Sequence, residues 1–192
     1  MTFTSQANES ELVIRAQNGD RNAFSDLVCI HAQGVLNVIY RMCGNMQIAE
    51  DAVQETFIQA WLRLSSYRPQ ASLRNWLYRI AVNTAIDMLR KEKRILPGAV
   101  EEMNLRDAEP GPEVLVTNIQ RTEAVQAAVL GLPDASRAVL VLREFEGLAY
   151  QEIAVALEIP VGTVMSRLNY ARKLLREKLE VQLFAYAEAE NV

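Results

Sequence analysis

The chain has 192 residues and a formal net charge of −4, with 24 Asp and Glu against 20 Lys and Arg and a single histidine. It is 50% hydrophobic, which excludes a largely disordered chain, and its 8 Gly and 6 Pro leave a composition dominated by helix formers. That length suits two small domains better than one large core.

The first residues, Thr2 to Glu11, are polar and lack the charged-then-apolar pattern of a signal peptide. No uninterrupted apolar run approaches the roughly 18 residues of a membrane span. The expectation is a soluble, cytoplasmic protein with no direct membrane insertion. Helical periodicity predicts Glu11 to Asn18, closed by Gly19, and Arg21 to Met42, closed by Gly44. Cys29, His31 and Cys43 fall here without CxxC or HExxH spacing, so no metal or cofactor is expected and both cysteines are read as small buried hydrophobes.

The next helix is predicted from Ile48 to Ser65. Ala49, Val53, Phe57, Ala60 and Leu64 share its core face; the opposite face carries Asp51 and Glu55, four apart, in line with Ile58 and Leu62. Like charges at that spacing weaken an isolated helix, and exposed aliphatics burden solubility. Such a face calls for a basic partner with an apolar patch. Acids favoured by the helix dipole would account for Glu50 and Asp51, but not for Ile58 and Leu62.

After the loop from Ser65 to Ser72, in which Ser72 is read as a helix N-cap, a helix is predicted to Arg94. It is apolar around most of its circumference and should be largely buried. A narrow polar stripe, Arg79, Asn83, Asp87 and Arg90, is spaced so that all four share one strip of surface. From Trp61 to Arg94 there are eight Lys or Arg against two Asp or Glu. One concentrated basic helix in a net acidic chain points to nucleic acid. An intramolecular Asp87 to Arg90 pair is expected whatever else holds, and it leaves Asn83 unexplained.

Composition then shifts. Ile95 to Ile119 holds three Pro, two Gly and five acidic residues against one basic, the mark of a linker. Helical periodicity resumes near Gln120 and runs to about Leu183, broken at Gly131-Leu132-Pro133-Asp134, and the acidic tail from Ala185 to Val192 is expected to fray. Within it Leu148 to Leu157, the turn Glu158-Ile159-Pro160 and the helix from Val161 form a helix-turn-helix. The second helix sets Val164, Leu168, Ala171, Leu175 and Leu179 on one face. Gly162, Ser166, Asn169, Tyr170 and Lys173 lie opposite, flanked by Arg167 and Arg172, where long cations would meet the phosphates bordering a groove. An ordinary amphipathic surface helix is the plainer alternative for this segment alone.

Three ordered motifs resemble the extracytoplasmic-function sigma factors of bacterial RNA polymerase: Asp51-Ala52-Val53-Gln54-Glu55-Thr56-Phe57, Trp76 to Asn83 continuing through Asp87 and Arg90, and Pro160-Val161-Gly162-Thr163-Val164. The resemblance runs from about Glu11 to Leu179. It implies an all-α fold of two helical domains, residues 1–94 and 120–192, joined by the acidic linker 95–119. It implies a non-catalytic promoter-specificity subunit whose partners are core RNA polymerase, promoter DNA and an anti-sigma factor, often membrane-bound. The polymerase-binding positions it implies are Asp51, Gln54 and Glu55, to which the helix face adds Ile58 and Leu62; Phe57 also matches, but its angle puts it in the core. The minus-ten positions are Tyr67, Arg68 and Gln70 in a loop that would hold a flipped base, then Arg79, Asn83, Asp87 and Arg90. The minus-thirty-five positions are Thr163, Ser166, Arg167, Asn169, Tyr170, Arg172 and Lys173.

Three departures stand out. Ala149 replaces a common N-cap Ser, and Met165 and Tyr170 stand where cations are common, which weakens phosphate attraction. A stand-alone helix-turn-helix regulator with a sensing or dimerising first domain is the competing reading, though it needs neither the basic stripe nor the acidic helix. A helical adaptor is disfavoured by two separate basic helices. No nucleophile, base and orienting group fall together, so no catalytic residue is assigned.

Overall fold

The computed structural model describes the backbone of residues 3–69, 71–95 and 113–189, and the side chains of 9–69, 71–92 and 122–180. Gln70, most of the expected linker and the last three residues of the tail lie outside the described residues. Among these, every regular element is helical: α1 Phe3–Gln17, α2 Arg21–Cys43, α3 Met46–Arg63, α4 Leu73–Ile95, α5 Glu113–Leu130, α6 Asp134–Leu140, α7 Tyr150–Leu157 and α8 Val161–Ala189. The chain is all-α, as expected. A short 3-10 turn, Leu64–Ser66, follows α3, and α6 ends in one wide turn, Val141–Phe145, where the Glu146 N–H reaches Val141 O five residues back at 3.3 Å.

Local chemistry sets the helix ends. Asp20 caps α2, its Oδ1 accepting from the N–H groups of Asn22 and Ala23 at 2.9 and 3.1 Å while Arg15 holds Oδ2 at 2.7 Å. The Ala23 amide, followed by Arg15, pulls the Asp20 carboxyl below its usual range. Asn45 caps α3 through Ile48 N–H, and Ser72 accepts from Asn75 N–H at 3.3 Å at the start of α4. Ser72 is thus the predicted cap. Three elements outrun their predicted bounds: α1 starts at Phe3, α5 at Glu113 inside the expected linker, and α8 continues to Ala189 through the expected frayed tail. For α8 the added stretch includes Ala185, Ala187, Glu188 and Ala189, strong helix formers that continue the helix where fraying was expected.

α2 packs against α1, α3 and α4. It is also long and apolar enough, at a hydropathy of 1.2, to cross a membrane by length and composition. In this fold those apolar residues are spent on a core: Leu27, Val35, Val38, Ile39 and Met42 meet Ala49, Ala52 and Ala60 of α3 and Leu77, Ile80, Ala81 and Ala85 of α4. Phe57 is buried among them, as its angle required. Cys43 is buried too, but Cys29 is exposed, contrary to expectation. It shares the outward stripe of α2 with Ser25, Asp26 and Gln33.

The second group packs α5, α6 and α7 on α8, with Leu140, Leu142, Leu148, Ile153, Leu168 and Ala171 at its centre. Arg137 of α6 is 6% exposed. Its guanidinium donates to Val129 O at 3.2 Å, to Leu130 O and Leu132 O at 2.5 and 2.8 Å, and to Met42 O of α2 at 2.7 Å. One side chain thus satisfies carbonyls at the ends of two helices from opposite groups. Gly44, at φ +73°, ends α2 in a conformation few side chains adopt; a Cβ there would stand 2.3 Å from Leu130 Cδ1. The two groups therefore touch directly.

Arg137→Ala removes the donor to four carbonyls and should lower the unfolding free energy by about 2–4 kcal/mol. Denaturant unfolding of the full chain checks this, and Arg137→Lys should restore little, since an ammonium cannot fork across that array. Burial pushes the Cys43 thiol up to about 12. At pH 8 a thiol reagent should consequently titrate Cys29 in the native protein and Cys43 only after denaturation.

Candidate nucleic-acid interface

On α3, Asp51, Gln54, Ile58 and Leu62 are exposed, the two aliphatics at 55% and 71%, while Glu55 is half-buried and accepts from Gln59 Nε2 at 2.8 Å. An apolar and acidic line thus faces outward, as the sequence implied. Glu55 also lines a groove between α3 and α4 with Gln59, Asp87, Met88, Arg90 and Lys91.

The loop before α4 differs from expectation. Tyr67 is 8% exposed, its hydroxyl donates to Ala71 O at 2.7 Å, and its ring lies 5.2 Å from that of Trp76. It holds the loop and offers no free face for a base. Arg68 is exposed but donates to Ser65 O and Tyr67 O at 3.0 and 3.1 Å. Gln17 of α1, which sequence reasoning missed, clamps the same loop through Leu64 O and Tyr67 O at 2.9 and 3.1 Å. A lone Gln at a helix end carries no signal of such a contact.

Along α4, Asn83, Asp87 and Arg90 form the exposed strip, with Asp87 and Arg90 paired at 3.8 Å. Arg79, at its upper end, is engaged by the second helical group: both its terminal nitrogens meet the Glu158 carboxylate, one at 2.6 Å. Three neighbours that the sequence did not single out make similar contacts. Arg74 donates to Glu146 O at 2.8 Å and to its carboxylate at 3.2 Å. Asn75 donates to Glu152 at 3.4 Å, and the Tyr78 hydroxyl donates to Glu146. Burial, reinforced by that carboxylate, pushes the Tyr78 phenol up to about 12.

α7, the turn at Glu158 and α8 form the predicted helix-turn-helix. Val164, Leu168 and Ala171 are buried, and Gly162, Ser166, Asn169, Tyr170 and Lys173 are exposed on the opposite face. Thr163 and Arg167 are half-buried beside it. Arg172 pairs with Glu144 at 2.6 Å, which raises its pKa, and Lys173 lies 3.9 Å from Glu177. Ser166 Oγ donates to Thr163 O at 3.1 Å. Ala149 offers no side-chain cap to α7; the Glu152 carboxylate instead accepts the Ala149 N–H at 2.8 Å, half of a capping box. The exposed Met165 and Tyr170 give this face an apolar character where cations would be common.

A helical bundle with a basic strip, followed by a helix-turn-helix, is the architecture of a promoter-reading subunit. The sigma-70 region 2 family matches residues 27–95 and the sigma-70 region 4 family residues 122–175. The chain is 36% identical to the RNA polymerase sigma-H factor of Pseudomonas aeruginosa, covering 91% of this chain and 95% of that protein. It is 36% identical to the ECF RNA polymerase sigma factor SigW of Bacillus subtilis (86% and 93% covered) and 35% identical to the ECF RNA polymerase sigma-E factor of Escherichia coli (93% and 97%). Among solved structures, CnrH in complex with the cytosolic domain of CnrY is similar at a TM-score of 0.67 and 25% identity, covering 91% of this chain and 98% of that one. RpoE from Bartonella quintana, solved with the anti-sigma factor NepR, shares the fold at a TM-score of 0.63 and 23% identity, over 82% and 97% of the two chains. The chain belongs to the extracytoplasmic-function group of RNA polymerase sigma factors. Because the likeness runs through both helical groups, the stand-alone regulator is set aside.

Tyr67→Ala should destabilise the protein by about 3–5 kcal/mol, the usual loss for a buried aromatic, whereas Arg68→Ala should change stability by less than about 1 kcal/mol. Thermal unfolding of both variants separates a loop-supporting residue from a surface one.

Proposed function

We propose that α3 docks on core RNA polymerase through Asp51, Gln54, Glu55, Ile58 and Leu62, and that two further surfaces read the promoter. The supporting observation is the exposed line of α3, where two acids accompany two aliphatics that the fold leaves in solvent. In this reading residues 1–94 engage polymerase and the opened minus-ten strand, 95–119 link, and 120–192 read minus-thirty-five duplex. Asn83, with a donor and an acceptor on one exposed amide, is the principal base reader on α4. Arg79, Asp87, Arg90 and the loop at Arg68 and Gln70 border it, with Tyr67 supporting the loop from within. Asn169 and Lys173 lead the groove-reading face of α8, and Thr163, Ser166, Arg167, Tyr170 and Arg172 complete it. The protein acts in the cytoplasm, where polymerase is, as a non-catalytic subunit. An anti-sigma factor is a further partner by this reading, in keeping with the partner-bound states in which the similar CnrH and RpoE were solved.

Asp51→Arg combined with Glu55→Arg should abolish binding to core polymerase in a pull-down while leaving the helical circular dichroism unchanged. Retained binding would remove the proposed docking face. The two DNA surfaces differ in the form of DNA they need. Asn83→Ala should impair transcription by roughly five- to a hundredfold, the loss expected for one base contact, and a template already mismatched at minus ten should partly rescue it. Ser166→Ala with Lys173→Ala should weaken promoter capture with no such rescue; equal rescue of both would overturn the division of labour.

A further inference from the structure

We propose that Met165 reads the 5-methyl group of a thymine in the minus-thirty-five duplex, selecting by apolar contact at a position where a cation would only anchor a phosphate. This rests on the reading of α8 as the groove-docking helix. Met165 is 48% exposed, in the second turn of a helix whose inner face buries Val164, Leu168 and Ala171. At about 100° per residue it stands roughly 60° round from Gly162 and roughly 40° from Asn169, within the face that meets DNA. A recognition helix touches base edges with its N-terminal residues, and Met165 falls among them. From Val161 to Asn169 the only cation is Arg167, which is half-buried to one side. Tyr170 lies roughly 140° round from Met165, on the side of Arg167 and so toward a bordering backbone.

Two features make this a methyl contact. The first is Gly162, which is helical and has nothing within 4 Å of the place a Cβ would take. Neither the turn nor the core requires a glycine there. Its effect is to leave the backbone bare one turn before Met165, which allows the start of α8 a close approach to a groove floor. The second is the chemistry of the neighbouring side chains. Ser166 already donates its hydroxyl hydrogen to Thr163 O at 3.1 Å, so it offers a base edge acceptor lone pairs alone. The Met165 thioether has no donor and is a weak acceptor, so the group it matches is apolar. In the major groove the base substituent of that kind is the thymine methyl. An unbranched, polarisable side chain with three rotatable bonds can fold over that methyl wherever the docked helix leaves it.

The test uses holoenzyme reconstituted from the full chain and bacterial core polymerase. It selects from duplexes randomised across the minus-thirty-five region and mismatched at a fixed minus-ten segment, which holds the contribution of α4 constant. The selected sequences should carry thymine at one fixed position. Deoxyuracil there, which deletes only the methyl, should weaken wild-type binding about fourfold, the loss of one buried methyl. Met165→Ala should bind the thymine and deoxyuracil duplexes alike, and Met165→Leu should keep the discrimination. Met165→Arg should lose it and show a steeper salt dependence, as an added phosphate contact requires. If deoxyuracil is tolerated at every selected thymine, or its penalty survives in Met165→Ala, the proposal is overturned while α8 remains a sequence reader. If no sequence preference emerges, the reading of α8 falls and the role of Met165 with it.

Discussion

The arrangement of this protein depends on how one buried guanidinium satisfies the ends of two helices. The last carbonyls of α2 and α5 converge in a place water does not reach, and unpaired they would forbid close contact between the two helical groups. Arg137 supplies the donors from a rigid planar fork. Once it is in place, Leu130 can lie on the bare backbone of Gly44 and Arg41 can stack 3.8 Å over Phe145. Those contacts carry α7 to the flank of α4. Burial lowers the pKa of Arg137, with Asp134 opposing, yet a guanidinium stays charged across the physiological range.

The charge distribution then acquires a meaning that the net value of −4 hides. Basic residues gather on α4 and α8, and carboxylates stand beside several of them: Glu158 at Arg79, Glu146 at Arg74, Glu144 at Arg172 and Asp87 at Arg90. All but Glu146 are solvent-exposed partners worth little individually. Their collective effect is to lower the field that free DNA meets, while the exposed pairs remain easily opened. For a protein meant to act with a large partner, that balance favours binding where several contacts are made at once over binding by any one surface.

The helical fold was legible because its signals are local. The cap at Ser72, breakers at Gly19 and Gly44, and uninterrupted periodicity in α2, α4 and α8 are all written within a few residues of where they act. The exposed face of α3 and the strip from Asn83 to Arg90 were equally legible, since helical angle alone fixes them. What escaped were properties of the assembled chain. The resemblance implies a stacking role for Tyr67, yet Trp76 and the carbonyl of Ala71 draw its ring inward. Cys29 and Cys43 lie 14 residues apart on α2 at nearly the same helical angle, and differ in what packs over them: Cys43, at the end of α2, is covered beside Arg137 of the second group, and Cys29 is not covered. The engagement of Arg79 by Glu158 spans 79 residues, and no periodicity encodes it.

The wide turn from Val141 to Phe145 sets a phase relation. Inserting one residue into a helical ladder rotates everything downstream by roughly 100° relative to a regular α-helix. With that rotation Phe145 faces Arg41 and Glu146 faces Tyr78. A regular helix through the same residues would swing both toward solvent and carry α7 out of step with α4. The turn works as a vernier between the two halves of the molecule: residues far apart in the chain come into register because five residues occupy the angle normally given to four.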